Sequence, residues 1–228
     1  MNKYTEMQLK SYNTDAAKWS MDNRDPVVGS FDAHNNWAEY EFLFKRFTND
    51  SDLIGLDFAC GPGRNLVKYG KRFKRLDGVD ISPVNIEKAN AYTKYHNLEP
   101  VLYVNNGVDL QVINSETYDF VMSTIALQHI CVHSIRYNLM TEFHRILKPN
   151  GIFTAQMGYG DRQWRAVDYY ADYFEAEATN GGMDTRVDSP SQLEDDLIKI
   201  GFREFDYTIG QMGPGDAHSH WIYFSAIK

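Results

Sequence analysis

The sequence predicts an α/β fold: a mostly parallel, seven-stranded sheet with helices on both faces and an antiparallel C-terminal strand. Three observations predict it. Between residues 53 and 157, short apolar runs alternate with longer amphipathic stretches, the rhythm of βαβ units with right-handed crossovers. The first apolar run ends in a glycine-rich turn, Cys60-Gly61-Pro62-Gly63, just ahead of a helical stretch. The last two strand-like segments are joined by roughly ten residues that carry Gly-Pro-Gly and no helix, too short for a parallel crossover, so they should run antiparallel.

Residues 1–24 are polar with spaced aromatics, and Met7, Ala16 and Trp19 partly share a helical face. Pro26 and Gly29 break that helix. Residues 34–48 read as a second helix, with Trp37, Tyr40, Phe44 and Phe47 at helical spacing. LIGLDF (53–58) is the first strand, and a helix follows from Arg64. LDGVDI (76–81) is the second strand, and Pro83 suits the first turn of the next helix. VLYVN (101–105), YDFVMST (118–124) and IFTAQM (152–157) are the third, fourth and fifth strands. SIRYNLMTEFHRIL, between the last two of these, is a long amphipathic helix closed by Lys148-Pro149-Asn150-Gly151. Residues 158–190 read as an irregular insertion rich in Tyr, Trp and Gly. SPSQLEDDLIKIGF is a helix capped by Ser189 or Ser191 and ended by Gly201. REFDYTIG (203–210) and HWIYFSAIK (220–228) complete the sheet.

The length of 228 residues fits one domain, 1–228, with a substantial core. Aromatic residues make up 14%, enough to line a pocket as well as to pack a core. The net charge of −8 repels phosphate backbones and argues against a nucleic-acid substrate. The one basic run, Lys68 to Arg75, reads as a solvated helix end. Cys60 and Cys131 have neither metal-ligand nor disulfide-framework spacing, and the seven histidines pair with no carboxylates at ligand spacing, so no metal is expected. His218-x-His220 reads as a structural or solvated pair in a loop. The polar start has no signal-peptide pattern, and no apolar run nears the ~20 residues that span a bilayer. A cytoplasmic protein with no membrane partner is the default expectation; the oligomeric state is not encoded legibly.

The chemistry centres on Leu56-Asp57-Phe58-Ala59-Cys60-Gly61-Pro62-Gly63-Arg64-Asn65. Its glycines let backbone approach a ligand at the carboxyl edge of a sheet. Asp57 can orient the turn or accept from an ammonium. Asp80 ends the next strand about 20 residues on, the place of an acid that holds a ribose. A dinucleotide turn needs a third glycine where this chain has Leu66, so a pyrophosphate suits it less well.

These residues resemble the motifs of the Rossmann-like, class I methyltransferases that use S-adenosylmethionine. LDFACGPGRNL resembles their first motif, VDIS (79–82) the second, NNGVDL (105–110) the third, YDFVMSTIALQHI (118–130) the fourth and LKPNGIF (147–153) the fifth. The resemblance covers about 50–228. Ala59 replaces the family's first glycine, and Asn106 stands where an Asp is frequent; its side-chain oxygen still accepts from an adenine amino group. The resemblance implies S-adenosyl-L-methionine as cofactor. Ala59, Gly61, Gly63 and Asn65 would hold its methionine end, Asp80 its ribose and Ile81 its adenine face. Asn106, Gly107 and Val108 would surround the adenine edge, and Thr124 and Ile125 would face the sulfonium. In similar enzymes an N-terminal helix is a lid, which would make 1–48 the lid here and bring Tyr12 and Trp19 to the cofactor.

Methyl transfer from a sulfonium is an in-line displacement that needs alignment above all, and a base only when the nucleophile must lose a proton. His129, beside the expected sulfonium, reads either as that catalytic base or as a ring packed over the cofactor. The insertion at 158–190 would supply the acceptor pocket through Tyr159, Arg162, Trp164 and Tyr169, with Arg24 and Arg165 as further anion-binding candidates. The Asn/Asp-Pro-Pro-Tyr/Phe signature of amino-methylating nucleic-acid enzymes is absent, since the chain reads Ser123-Thr124-Ile125-Ala126. The sequence therefore predicts O- or N-methylation of a small molecule, such as a sugar or secondary metabolite. A non-catalytic cofactor-binding subunit and an NAD(P)-dependent oxidoreductase remain as alternatives.

Overall fold

A computed structural model describes residues 2–18, 20, 38–162, 166–175, 183–211 and 218–228. Helix α1 (Lys3–Ala16) begins at a capping box: the Asn2 side chain accepts from Thr5 N at 2.9 Å, and Thr5 Oγ1 accepts from Asn2 N at 3.1 Å. It buries Tyr4, Thr5, Gln8 and Ala16. Of the second predicted helix, the described part is a 3₁₀ helix, Ala38–Phe44, which buries Leu43 and Phe44. Trp19, Arg24 and Trp37 lie outside the described residues.

The alternation that follows is the predicted one. Strand β1 (Ile54–Phe58) leads to α2 (Arg64–Tyr69), β2 (Arg75–Asp80) to α3 (Pro83–Tyr95), then β3 (Leu102–Val104) and β4 (Tyr118–Ser123). Helix α4 (His133–Ile146) runs into β5 (Leu147–Arg162). Two short strands, β6 (Ala166–Asp168) and β7 (Asp184–Val187), precede α5 (Pro190–Ile200) and the last pair, β8 (Arg203–Gln211) and β9 (His218–Ile227). Ser189 caps α5, and Gly201 ends it with a left-handed φ of 116°.

The sheet has nine strands among the described residues. β3, β2, β1, β4 and β5 lie side by side and parallel, and β9 inserts antiparallel between β5 and β8, as expected for the C-terminal pair. The two additional strands correct the reading of 158–190 as irregular. Their cause is the length of β5. It pairs with β4 through Ala155 and then continues, so Gly158 and Tyr159 would be left with an open backbone edge. Arg186 and Val187 of β7 close that edge in parallel, and β6 closes β7 in turn.

Alternation along the strands feeds two cores. On one face Leu56, Phe58, Val79 and Val121 meet α4 and α5 through Leu139, Phe143, Leu193 and Leu197. On the other, Phe120 and Met122 meet Phe44, Leu66, Tyr69 and Ala89. The added strands are tied to α4 by Arg136, which is 1% exposed. Its guanidinium donates to Thr185 Oγ1 at 2.9 Å and to the carbonyls of Ile130 and Tyr169. Burial lowers its pKa from the usual arginine value.

Gly55 sits opposite Phe120 in the β1–β4 register, and a Cβ there would fall 2.0 Å from the Phe120 ring. That ring is wedged against Phe47 and Phe73, with centroids at 4.8 and 4.6 Å, and has nowhere to go. Gly55→Ala is expected to lower unfolding free energy by about 1–3 kcal/mol through overpacking. Urea denaturation checks this; an unchanged midpoint would show that the aromatic cluster yields.

Candidate active site

The turn after β1 alternates left-handed residues: Ala59 (φ 58°), Gly61 (φ 54°) and Gly63 (φ 92°). For Ala59 this conformation costs roughly 1 kcal/mol. Asp80 at the end of β2 holds the turn in place. Its Oδ2 accepts from Gly61 N at 2.9 Å and its Oδ1 from Ser82 N at 2.8 Å. Burial raises the Asp80 pKa, against the pull of these donors and of Asn85.

Asp57 lies deeper. Its Oδ1 accepts from Asn65 Nδ2 at 3.4 Å, while its buried Oδ2 has no hydrogen-bond partner among the described residues. Burial pushes its carboxyl up to about 7; Asn65 and Arg64 oppose the rise, and the Asp80 charge adds to it.

Above this turn is a cavity of about 180 Å³. Its floor is Ala59, Gly61 and Pro62, and its roof is α1, through Tyr4, Thr5, Gln8 and Tyr12. Asp80, Ile81, Asn105 and Gly107 form one end; Ile125, Ala126, His129 and Ile130 form the other. Gly107 (φ 79°) faces α1 closely: a Cβ there would lie 2.6 Å from Ile81 Cδ1 and 3.1 Å from Thr5 Cγ2. Ile125 is also left-handed (φ 51°), a strained state for a β-branched residue. Burial raises the Tyr12 phenol well above its ordinary pKa, reinforced by the charges of Asp80 and Asp184 among others.

The cavity thus gathers Tyr12, Ala59, Gly61, Asp80, Ile81, Gly107, Ile125 and His129 from the residues singled out in the sequence. Others stand behind its wall. Gly63 caps α2 against Ala89. Thr124 Oγ1 accepts from Asn65 Nδ2 at 2.8 Å, so that pair braces the turn. Asn106 turns inward on its own loop: its Oδ1 accepts from Val108 N and Asp109 N, and its Nδ2 donates to Asp109. Val108 is fixed by that loop and packs on the core. Asn105 takes the position at the cavity, with a buried Oδ1 that has no partner among the described residues.

The expected acceptor residues are not brought to this cavity. Tyr169 is fully buried between α4 and α5, where its hydroxyl donates to Asp196 at 2.9 Å; the phenol needs that acceptor once it leaves water. Tyr159 sits on β5, half-buried beside His220. The Arg162 side chain, Trp164 and Arg165 lie outside the described residues.

What the insertion does deliver is Asp184, the first residue of β7. Its Oδ1 meets His129 Nδ1 at 2.7 Å, and its Oδ2 meets His218 Nε2 at 3.1 Å. His218 is on β9 rather than in a loop, fully buried, with its ring over Gly158, where a Cβ would lie 2.2 Å from it. Burial lowers the His129 pKa, but the Asp184 charge and hydrogen bond outweigh it and the net shift is upward. Burial likewise works to raise Asp184, and the two histidines overcome it and hold its carboxyl well below the usual range. The raised His129 contributes stability below its ordinary 6.5 that fades as pH rises through its folded pKa. The depressed Asp184 contributes stability above its ordinary 3.8 that fades as pH falls toward its folded pKa. The pair is therefore most stabilising between about pH 4 and 6.5. Among the described residues, no group of three or more His, Cys, Asp or Glu is arranged to hold a metal ion, and no helix is long and apolar enough to cross a membrane.

Comparison with known proteins agrees with this geometry. A protein-family model described as "Methyltransferase domain" matches residues 56–155, from β1 to β5. No curated protein sequence matches. Among solved structures, a Haemonchus contortus phosphoethanolamine N-methyltransferase 2, bound to phosphomonomethylethanolamine and S-adenosylhomocysteine, is 16% identical with a TM-score of 0.69, covering 100% of this chain and 60% of its own. A Haloferax volcanii complex between the Trm112 methyltransferase activator and a putative methyltransferase gives 18% identity and a TM-score of 0.65, with 96% of each chain covered. A Methanosarcina mazei S-adenosylmethionine-dependent methyltransferase gives 18% and 0.61, over 82% of this chain and 97% of its own. Residues 56–155 thus carry a methyltransferase domain, and the fold around it is that of the Rossmann-like, class I, S-adenosylmethionine-dependent methyltransferases.

Proposed function

We propose that this enzyme methylates a small molecule on oxygen or nitrogen, with His129 as the base. The observation that carries the reading is the roof over the cavity. Helix α1 lies across the carboxyl edge of the sheet, so an acceptor must fit beneath Tyr4, Thr5, Gln8 and Tyr12. A bulky polymer would have to displace that helix, and the net charge of −8 repels nucleic acids. The H. contortus enzyme of similar fold, solved in complex with phosphomonomethylethanolamine and S-adenosylhomocysteine, supports the same reading.

The cavity suits the cofactor. Asn105 Oδ1 is a buried acceptor awaiting a donor, as an adenine amino group would supply. Asp80 has lone pairs left for ribose hydroxyls, and Ile81 gives an apolar face for the base. Gly61 and Gly107 leave the backbone open where side chains would intrude. Bound there, S-adenosylmethionine would supply an electrophilic methyl group on a sulfonium, which would take the acceptor's lone pair with the carbon–sulfur electron pair left on sulfur. The chain's own part is to hold the partners in line and to exclude water.

Asp80→Ala is expected to weaken S-adenosylhomocysteine binding at least tenfold by calorimetry; unchanged affinity would displace the ribose from this carboxylate. Asp57, near half-protonated at pH 7, should lose its proton when an ammonium settles by the turn. Calorimetry at pH 7 in buffers of different ionisation enthalpy should then show release of about half a proton per S-adenosylhomocysteine bound, abolished in Asp57→Asn. Equal apparent enthalpies in all buffers would rule this linkage out. His129→Gln should keep its cofactor affinity while methyl-labelled S-adenosylmethionine no longer labels a panel of alcohols, phenols and amines that the unaltered enzyme labels. Full transfer by the variant would return His129 to a packing role.

A further inference from the structure

The geometry points to Asp184 as a positioning residue that holds His129 in one tautomer, backed by His218, so that the acceptor atom must be one that sheds a proton: a hydroxyl or an ammonium nitrogen. This rests on the reading of His129 as the base. His129 presents one ring nitrogen to Asp184, and among the described residues the other, Nε2, has no hydrogen-bond partner while the side chain borders the cavity. A carboxylate on Nδ1 fixes the proton there and leaves the Nε2 lone pair as the acceptor. A hydroxyl passes its proton to Nε2 as its oxygen gains the methyl group; an ammonium passes a proton to Nε2 first, which frees the nitrogen lone pair that then takes the methyl group. The imidazolium so formed is neutralised by Asp184, and the proton then leaves to water. A carboxylate or thioether acceptor has no proton to give and would gain nothing from this pair.

His218 explains why Asp184 stays an acceptor. Its Nδ1 is buried with no partner among the described residues, so its proton sits on Nε2 and is donated to Asp184 Oδ2. One carboxylate oxygen is thereby committed to β9 and the other to His129. The glycine at 158 provides the seat for that ring. The other groups around His129 do not compete for Nδ1. From α1, the Tyr4 hydroxyl donates to the His129 carbonyl, and Tyr12 stays a neutral phenol. Cys131 Sγ donates to the Met183 carbonyl, Arg136 of α4 is spent on carbonyls and Thr185, and Asp80 of β2 faces the Gly61 and Ser82 backbone.

The test uses the whole chain, labelled with ¹⁵N in histidine rings and saturated with S-adenosylhomocysteine, and reads each ring by NMR across pH. His129→Gln identifies the resonance. The expected result is a neutral His129 with its proton on Nδ1 and a midpoint above 6.5. Asp184→Asn is expected to lower that midpoint by about one pH unit or more. His218→Gln is expected to lower it less. Calorimetric affinity for S-adenosylhomocysteine should stay within about threefold in both variants. A neutral tautomer protonated on Nε2 in the unaltered protein overturns the proposal even if Asp184→Asn and His218→Gln fail to fold, and so does an unmoved midpoint in Asp184→Asn. The ring readout is independent of turnover, so failure of the small-molecule reading, seen as no labelled acceptor, is distinguishable from failure of this one.

Discussion

The left-handed turn between β1 and α2 is the constraint on which the site depends. Three alternate residues carry positive φ, and the Asp80 carboxylate fastens the middle one to the end of β2. This single contact fixes the floor of the cavity, the start of α2 and the spacing of the first two strand ends. It also explains a buried, otherwise costly carboxylate: the backbone N–H groups of Gly61 and Ser82 supply the donors that water would have supplied. Asn65, Thr124 and Asp57 brace the same turn from below, so β4 is fastened to it as well.

The parts of the structure that were legible in the sequence are those where the backbone demands a residue type or burial imposes a period. Glycines in the turn, Pro83 and Ser189 at helix starts, Gly201 at a helix end and the apolar strands all fall in this class. β6 and β7 do not. Ala-Val-Asp and Asp-Thr-Arg-Val show too little periodicity to announce strands, and their order comes from the edge of β5, far off in the chain. The site divides the same way. The turn and strand-end residues reach the cavity, but the third strand is only three residues long, and its loop turns Asn106 inward and Asn105 to the cavity. Tyr169 carries an aromatic pattern that serves a pocket or a core equally well, and here the core takes it. Asp184 lies 55 residues from His129 and 34 from His218, and no local signal marks that meeting.

The scaffold alone would not define the chemistry. One structure of similar fold, 15% identical with a TM-score of 0.67, is a [4+2]-cyclase, SpnF. The matched domain ends at Ala155, before β5 leaves the common sheet. Outside that domain, α1 supplies the residues that roof the cavity, and Asp184 of the added strands stands behind its wall, on His129. The floor of the cavity and the helix over it are thus built from different stretches of the chain.

That division has a consequence for Arg136. The residue is a desolvated cation stitched by carbonyls and one hydroxyl to the added strands, beside Asp184. It ties the added strands to α4 through contacts in which the Asp80 turn has no part. Opening of those contacts alone would free Asp184 from His129 while leaving the floor of the cavity standing. A buried arginine thus holds closed a local opening that would part Asp184 from His129 and leave the rest of the sheet folded.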